Sequence, residues 1–262
     1  MPELPEVEIY SRYLQRHALG QRIARVRVLD ERILGATRKA TLVRRLTGQQ
    51  LTSVRRHGKH LFIHAGERNW LHLHFGMTGD LAYYRDPADA PRFARVVFDF
   101  DGGGHLAFED MRLFGIVDLT SDPGDYIREH TLGLDPLDPA LRLLLFRRLM
   151  EKRRGAVKPL LMSQRVVAGI GNLYADEILF RASIHPLRPV DRMTPDEMKA
   201  VYASMRSVLN EMVALKAGGG EYPPRMLVRH REEGDACPRC GGEIRRTVVG
   251  GRTTYFCSRH QR

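Results

Sequence analysis

The spacing of apolar residues changes along the chain, and each change marks an expected element. Pro5 suits the first turn of a helix, where its missing N–H costs nothing, and Val7, Tyr10 and Leu14 then recur at helical spacing until Gly20. Glu3, Glu6 and Glu8 fall at the positive end of that helix. From Gln21 the period drops to two. Arg25-Val26-Arg27-Val28 and Trp70-Leu71-His72-Leu73-His74-Phe75 alternate, while Arg92 to Phe100 and His105 to Phe108 flank Asp101-Gly102-Gly103-Gly104 as a hairpin. Residues 21 to about 120 therefore read as an antiparallel β-sandwich or barrel with one leading helix.

After Asp122-Pro123-Gly124 the pattern turns helical, and Leu132 to Asp135, followed by prolines 136 and 139, reads as a linker. Thr194-Pro195-Asp196-Glu197 is a capping box with proline at the first helical position. Met198, Val201, Met205, Val208, Leu209, Met212 and Leu215 follow, mostly three or four apart, and Gly218-Gly219-Gly220 stops the run. That methionine stripe reads as core rather than as a cofactor box. The last stretch is strand-like and carries every cysteine. The expected class is α+β, with boundaries at 1–130 for a β-sandwich domain, 131–225 for a helical domain and 226–262 for a small appendage.

Composition sharpens this. The 262 residues hold 42 Lys+Arg against 31 Asp+Glu, a net charge of +11. Such an excess favours a polyanion, because each neutralised phosphate releases condensed counterions. A solvated basic surface is the competing reading, and clustering argues against it. No acid lies between Gly35 and Glu67, where Arg38, Lys39, Arg44, Arg45, Arg55, Arg56 and Lys59 fall, and Arg245, Arg246, Arg252, Arg259 and Arg262 close the chain. No apolar run approaches a membrane span, and MPELPEVEIY lacks the basic and apolar regions of a secretory signal, so the cytoplasm is the expected location.

Three cysteines, an odd number, argue against a disulfide framework. Cys237-Pro238-Arg239-Cys240 and Cys257-Ser258-Arg259-His260 are two short-spaced ligand pairs separated by a hairpin-sized stretch. This pattern suits one tetrahedral, structural Zn²⁺ held by Cys237, Cys240, Cys257 and His260. A hairpin too small for its own core would need the metal to fold, and it would present Arg252 at its tip.

Met before Pro is normally removed, which would leave Pro2 with a secondary α-amine. The pKa of an α-amine, about 7.7–8, leaves a useful neutral fraction near pH 7. Such an amine attacking a sugar C1′ yields an iminium and opens elimination of the flanking phosphates, with Glu3 placed to carry protons. Many chains begin Met-Pro, however, and Glu3 also reads as a plain helix-dipole acid.

The whole chain, in register, resembles the formamidopyrimidine-DNA glycosylase family and its endonuclease VIII relatives. Pro2-Glu3-Leu4-Pro5-Glu6-Val7-Glu8 is similar to their N-terminal signature. Arg56-His57-Gly58-Lys59-His60-Leu61 resembles the loop bearing a catalytic, phosphate-binding lysine, which the resemblance places at Lys59. His72 to Gly79 resembles the loop whose methionine, here Met77, fills the gap left by a flipped nucleotide. Asp110-Met111-Arg112-Leu113-Phe114-Gly115 resembles the segment whose arginine, Arg112, contacts the widowed base and whose phenylalanine, Phe114, wedges the stack. Val166 to Glu177 resembles the helix–two-turn–helix motif. There the backbone N–H groups of Gly169-Ile170-Gly171-Asn172 are expected to cradle a phosphate, and Asn172, Lys59 and Arg252 together are expected to grip the phosphates around the lesion.

The resemblance implies an N-terminal catalytic β-sandwich, a helical helix–two-turn–helix domain and a terminal zinc-finger hairpin, with DNA in the cleft between domains. It implies a bifunctional glycosylase and abasic-site lyase of base excision repair. Its expected partner is double-stranded DNA carrying oxidised or abasic sites, and the protein is expected to be a nucleoid-associated bacterial monomer with no membrane attachment. Two departures bear on this. His260 stands where the family's finger usually has a fourth cysteine. Only the sixteen residues Glu221 to Ala236 separate Gly220 from Cys237, as in the short version found among endonuclease VIII relatives. Oxidised purines, oxidised pyrimidines or both therefore stay open as lesions. A non-catalytic binder of damaged DNA on the same fold is the alternative, as is an enzyme specialised for abasic or single-stranded substrates. Intact Pro2, Glu3 and Lys59 argue against the binder.

Overall fold

The computed structural model describes residues 2–262; Met1, on whose removal the Pro2 amine depends, lies outside the described residues. The chain divides into two compact units. One contains Pro2 with Glu6–Thr131, the other Glu3–Pro5 with Leu132–Arg262.

In the first unit, helix α1 (Leu4–His17) precedes β1 (Ile23–Val28), α2 (Lys39–Leu46) and seven further strands. These are β2 (Leu51–His57), β3 (His60–Ala65), β4 (Trp70–His74), β5 (Gly79–Tyr84), β6 (Ala94–Phe100), β7 (His105–Asp110) and β8 (Ile116–Thr120). They form two antiparallel sheets, ordered β2-β3-β4-β8 and β1-β6-β7-β5. Period-two alternation sends Leu61, Ile63, Leu71 and Leu73 of one sheet and Val26, Phe98, Leu106 and Phe108 of the other into a single core. Val7 and Leu14 of α1 join it, and Tyr10 stacks on Phe75 with centroids 4.3 Å apart. The expected hairpin at Asp101–Gly104 joins β6 and β7.

The single leading helix expected for this region is corrected by α2. Leu42 and Leu46, four residues apart, reach the core while Lys39, Arg44 and Arg45 face solvent. Two apolar anchors among so many cations leave little periodic signal.

The outer face of β3 and β4 carries His60, Phe62, His72 and His74. Helix α3 (Pro123–Glu129) covers it with Tyr126, whose ring lies 4.3 Å from His72 and 5.5 Å from Phe62, centroid to centroid. His60 Nδ1 and His72 Nε2 share a hydrogen bond of 2.9 Å. Burial holds all three imidazoles below the usual histidine range, His72 to about 3 and His74 to about 4.

The second unit is built on α4 (Leu143–Glu151), α5 (Val157–Met162), α6 (Asn172–Ala182) and α7 (Pro195–Ala217), and ends in the hairpin β9 (Ile244–Val249) and β10 (Arg252–Cys257). The capping box is formed on both sides. Glu197 N–H donates to Thr194 Oγ1 at 3.2 Å, and Thr194 N–H donates to Glu197 Oε2 at 2.7 Å. Met198, Met205 and Met212 of α7 pack with Phe146, Leu161, Tyr174 and Ile178. Between α5 and α6, Gln164 pins the two turns. Its Nε2 donates to Met162 O and Ile170 O, each at 2.8 Å, and its Oε1 accepts from Gly169 N–H at 2.8 Å. Among the described residues, no helix is long and apolar enough to cross a membrane.

Candidate functional site

Pro2 is half-buried in the first unit. Lys59, also there, occupies the two-residue turn Gly58-Lys59 between β2 and β3 and is only 9% exposed. Arg56 braces this turn: its Nε donates to Glu8 Oε2 of α1 at 2.9 Å, and its Nη1 reaches Gly58 O at 3.4 Å. Neither Glu8 nor Arg56 was expected in that role, since they lie 48 residues apart.

Met77 lies between β4 and β5, Arg112 and Phe114 between β7 and β8, and the structure brings these loops together. Met77 is 42% and Phe114 52% exposed, which is unusual for large apolar groups, and the Arg112 guanidinium lies 4.8 Å from the centre of the Phe114 ring. The loops touch backbone to backbone: a Cβ on Gly76 would come within 2.3 Å of the Phe114 carbonyl carbon. Beneath them sits the fully buried Asp110. Its carboxylate accepts from Gly115 N–H at 2.6 Å, from Arg112 N–H at 3.0 Å and from the Thr78 hydroxyl, whose oxygen in turn accepts from Arg112 N–H at 3.1 Å.

In the second unit, Glu3 is 2% exposed and meets the N-terminus of α6. Its Oε2 accepts from Gly171 N–H at 2.6 Å and Tyr174 N–H at 3.4 Å, and its Oε1 accepts from Leu173 N–H at 2.9 Å. This narrows the expected backbone phosphate cradle: of Gly169, Ile170, Gly171 and Asn172, the N–H groups of Gly169 and Gly171 are already engaged. The anion seated on the helix end is the protein's own carboxylate, and Gly169 N–H is taken by Gln164. It also corrects the reading of Glu3 as an acid serving its own helix. Gly171 must lack a side chain, since a Cβ there would lie 2.4 Å from the Glu3 carboxyl carbon.

Asn172 turns to the hairpin: its Nδ2 donates to Thr253 O at 3.0 Å, while its Oδ1 is buried without a hydrogen-bond partner. Arg252 is exposed at the hairpin tip. Just below it lies a charge cluster that sequence reasoning missed. Lys158 Nζ, fully buried, sits 2.7 Å from Asp176 Oδ1 and donates to Thr254 Oγ1 at 2.6 Å. Asp176 Oδ2 accepts from Arg231 at 2.7 Å and from Tyr255 N–H at 3.2 Å, and Arg231 lies over the Tyr255 ring. Burial lowers the Lys158 pKa and raises that of Asp176, and their pairing opposes both shifts.

The four expected metal ligands converge. The donor atoms of Cys237, Cys240, Cys257 and His260 all lie within 4.8 Å of one another. Cys240 Sγ is 3.5 Å from Cys257 Sγ, and His260 Nδ1 is 3.5 Å from both Cys237 Sγ and Cys240 Sγ. A tetrahedral Zn²⁺ with Zn–S near 2.3 Å needs edges of about 3.5–3.8 Å, so the donor set fits. The other ring nitrogen, His260 Nε2, faces Phe180 O at 3.3 Å near the end of α6.

Comparison with known proteins finds three matches in chain order. Residues 1–117 match the formamidopyrimidine-DNA glycosylase N-terminal domain, residues 132–222 match the formamidopyrimidine-DNA glycosylase H2TH domain, and residues 234–259 match a zinc finger found in FPG and IleRS. The chain is 34% identical over 270 residues to the formamidopyrimidine-DNA glycosylase of Pelotomaculum thermopropionicum, covering 98% of each. Among solved structures, it is similar to Lactococcus lactis formamidopyrimidine-DNA glycosylase bound non-covalently to DNA containing an AP site, with 29% identity, a TM-score of 0.90 and 99% of each chain covered. It is also similar to MutM in complex with DNA containing carbocyclic 8-oxo-G, with 30% identity, a TM-score of 0.90 and 100% of each covered. The finger match and the donor cluster together establish one structural zinc site.

Proposed function

Since the chain belongs to the formamidopyrimidine-DNA glycosylase family, we propose that it is a bifunctional base-excision enzyme that removes oxidised bases from duplex DNA and cuts the strand at the abasic site. The Pro2 nitrogen attacks C1′ of the extruded nucleotide. The bond from C1′ to the base breaks, and the base leaves with its electron pair and a proton delivered through Glu3. Opening of the sugar ring, with O4′ protonated, leaves an iminium between Pro2 and C1′. Loss of a C2′ proton into this electron sink expels the 3′ phosphate, and a second elimination expels the 5′ phosphate. Lys59, Asn172 and Arg252 hold phosphates around the lesion, Met77 and Phe114 fill the vacated stack, and Arg112 satisfies the widowed base. When bound, the zinc ion supplies a structural cross-link that stiffens the hairpin carrying Arg252.

The observation that carries this reading is the seating of Glu3. Its carboxylate is fixed by the N–H groups of Gly171, Leu173 and Tyr174, at 2.6, 2.9 and 3.4 Å, and Pro2 is the residue bonded to it in sequence. We place the protein in the bacterial cytoplasm, acting as a monomer on nucleoid DNA. The bacterial origin of the relatives supports that location.

Borohydride reduction on abasic duplex DNA tests the proposal. A covalent adduct at Pro2 is expected, and a preparation whose terminal amine has been acetylated should trap nothing. Trapping that survives acetylation removes Pro2 from the mechanism. DNA binding with no trapping at all would make the chain a damage-binding protein.

A further inference from the structure

The exposed groups Met77, Arg112 and Phe114 sit on two separate loops, 35 to 37 residues apart in sequence. Extruding a nucleotide asks them to enter the stack together. A side chain misplaced by about 1 Å loses much of its effect on rate. Something must therefore set the spacing of the two loops before DNA arrives.

Three features of the first unit do this. Asp110, the last residue of β7, is wholly buried, and its carboxylate closes the 111–115 loop through Arg112 N–H at 3.0 Å and Gly115 N–H at 2.6 Å. The same carboxylate accepts the hydroxyl proton of Thr78, the neighbour of Met77, and Thr78 Oγ1 accepts Arg112 N–H at 3.1 Å. One oxygen pair thus ties both loops at the residues adjoining Met77 and Phe114. The Cβ-free Gly76 lets the two backbones touch, and Leu113, held at φ 57° between Arg112 and Phe114, turns its side chain into the sandwich core. Leucine seldom adopts that backbone conformation unless its surroundings impose it.

We infer that Asp110, acting through Thr78, is a positioning residue that joins the Met77 loop and the Arg112–Phe114 loop into one preformed insertion wedge. The inference rests on the reading of those three side chains as the groups that replace the extruded nucleotide. Asp110 touches no DNA in this scheme. Its carboxylate works because it accepts three hydrogens at once, which an amide in its place does not reproduce.

The test compares a duplex that requires extrusion with a single strand that does not. Asp110→Asn and Thr78→Val are expected to lower single-turnover excision of 8-oxoguanine from duplex by about tenfold or more. Cutting of a single-stranded abasic oligonucleotide should stay within about twofold of the parent, since no stack has to be entered. Thr78→Ser, which keeps the hydroxyl, should restore duplex excision. Thr78→Val guards against the chance that Asp110→Asn fails to fold, and thermal melting reports folding directly. Unchanged duplex excision in both variants, or a parallel fall on both substrates, overturns the inference. Met77→Ala/Phe114→Ala separates it from the functional reading. If that double variant excises normally, the wedge assignment itself is wrong; if it fails while Asp110→Asn is active, only the positioning role is lost.

Discussion

At Glu3, two carboxylate oxygens face three amide hydrogens, and nothing else in the side chain can take their place. Glutamine has the same shape but turns one oxygen into a donor, so at least one N–H of α6 would face an NH₂ group in a buried site. Glu3→Gln should cost about 1–3 kcal/mol of unfolding free energy in urea titrations. It should slow base excision by about a hundredfold, the usual worth of a placed proton carrier. Cutting at a preformed abasic site, where no base has to leave, should suffer less. Equal losses on the two substrates would show that Glu3 does not serve base departure. The sequence foretold that Glu3 matters but not what it touches, because its partners lie 168 to 171 residues away and a pattern of spacings carries no such information. The metal ligands were legible for the opposite reason, since their chemistry is written in two four-residue segments.

Among the elements, α6 carries the heaviest load of buried charge. Asp176 neutralises Lys158 and Arg231 at once, and these in turn hold the strand that follows Arg252. Asp176→Ala strands two cations and should destabilise the second unit by about 3–5 kcal/mol in urea. A loss under 1 kcal/mol, an order-of-magnitude bound, would mean that water reaches the cluster freely. In the first unit, the layer between β3, β4 and α3 is a store of acid sensitivity. His72 and His74 stay neutral in the folded chain down to about 3 and 4, whereas unfolded histidine takes a proton near 6.5. Stability should be complete above about pH 6.5 and fall as pH drops toward those folded values, by about 2 kcal/mol per histidine at pH 5. Urea midpoints at pH 7 and pH 5 check this, and His72→Phe should flatten the difference. The strands themselves were readable from alternation, but α2 was not, because two leucines in a cationic stretch make a poor stripe.

For the molecule as a whole, a net charge of +11 makes DNA affinity a function of salt. Replacing Arg252 by alanine should weaken binding evenly across sequences and shallow the slope of log K against log salt by about one unit. An unchanged slope would take Arg252 off the phosphate backbone. The order of the three matched regions was legible in the sequence because each carries its own local motif. Which groups support the motifs was not, since Asp110 reaches Thr78 and Asp176 reaches Arg231 and Tyr255 only through tertiary contacts, and the local bonds of Gln164 leave no periodic signal. His260 gives the ion a reach that a fourth thiolate would lack. A metal on Nδ1 leaves the imidazole one tautomer, with its remaining hydrogen on Nε2, directed at the Phe180 carbonyl. A filled finger would thereby fix this contact to the last turn of α6. In His260→Cys loaded with cobalt, the absorption spectrum should report a complete thiolate shell while amide exchange near residues 180–184 quickens. Amide exchange of the wild-type chain near residues 180–184 should quicken only when a chelator strips the metal, and a rate unchanged by the chelator would detach the finger from the end of α6.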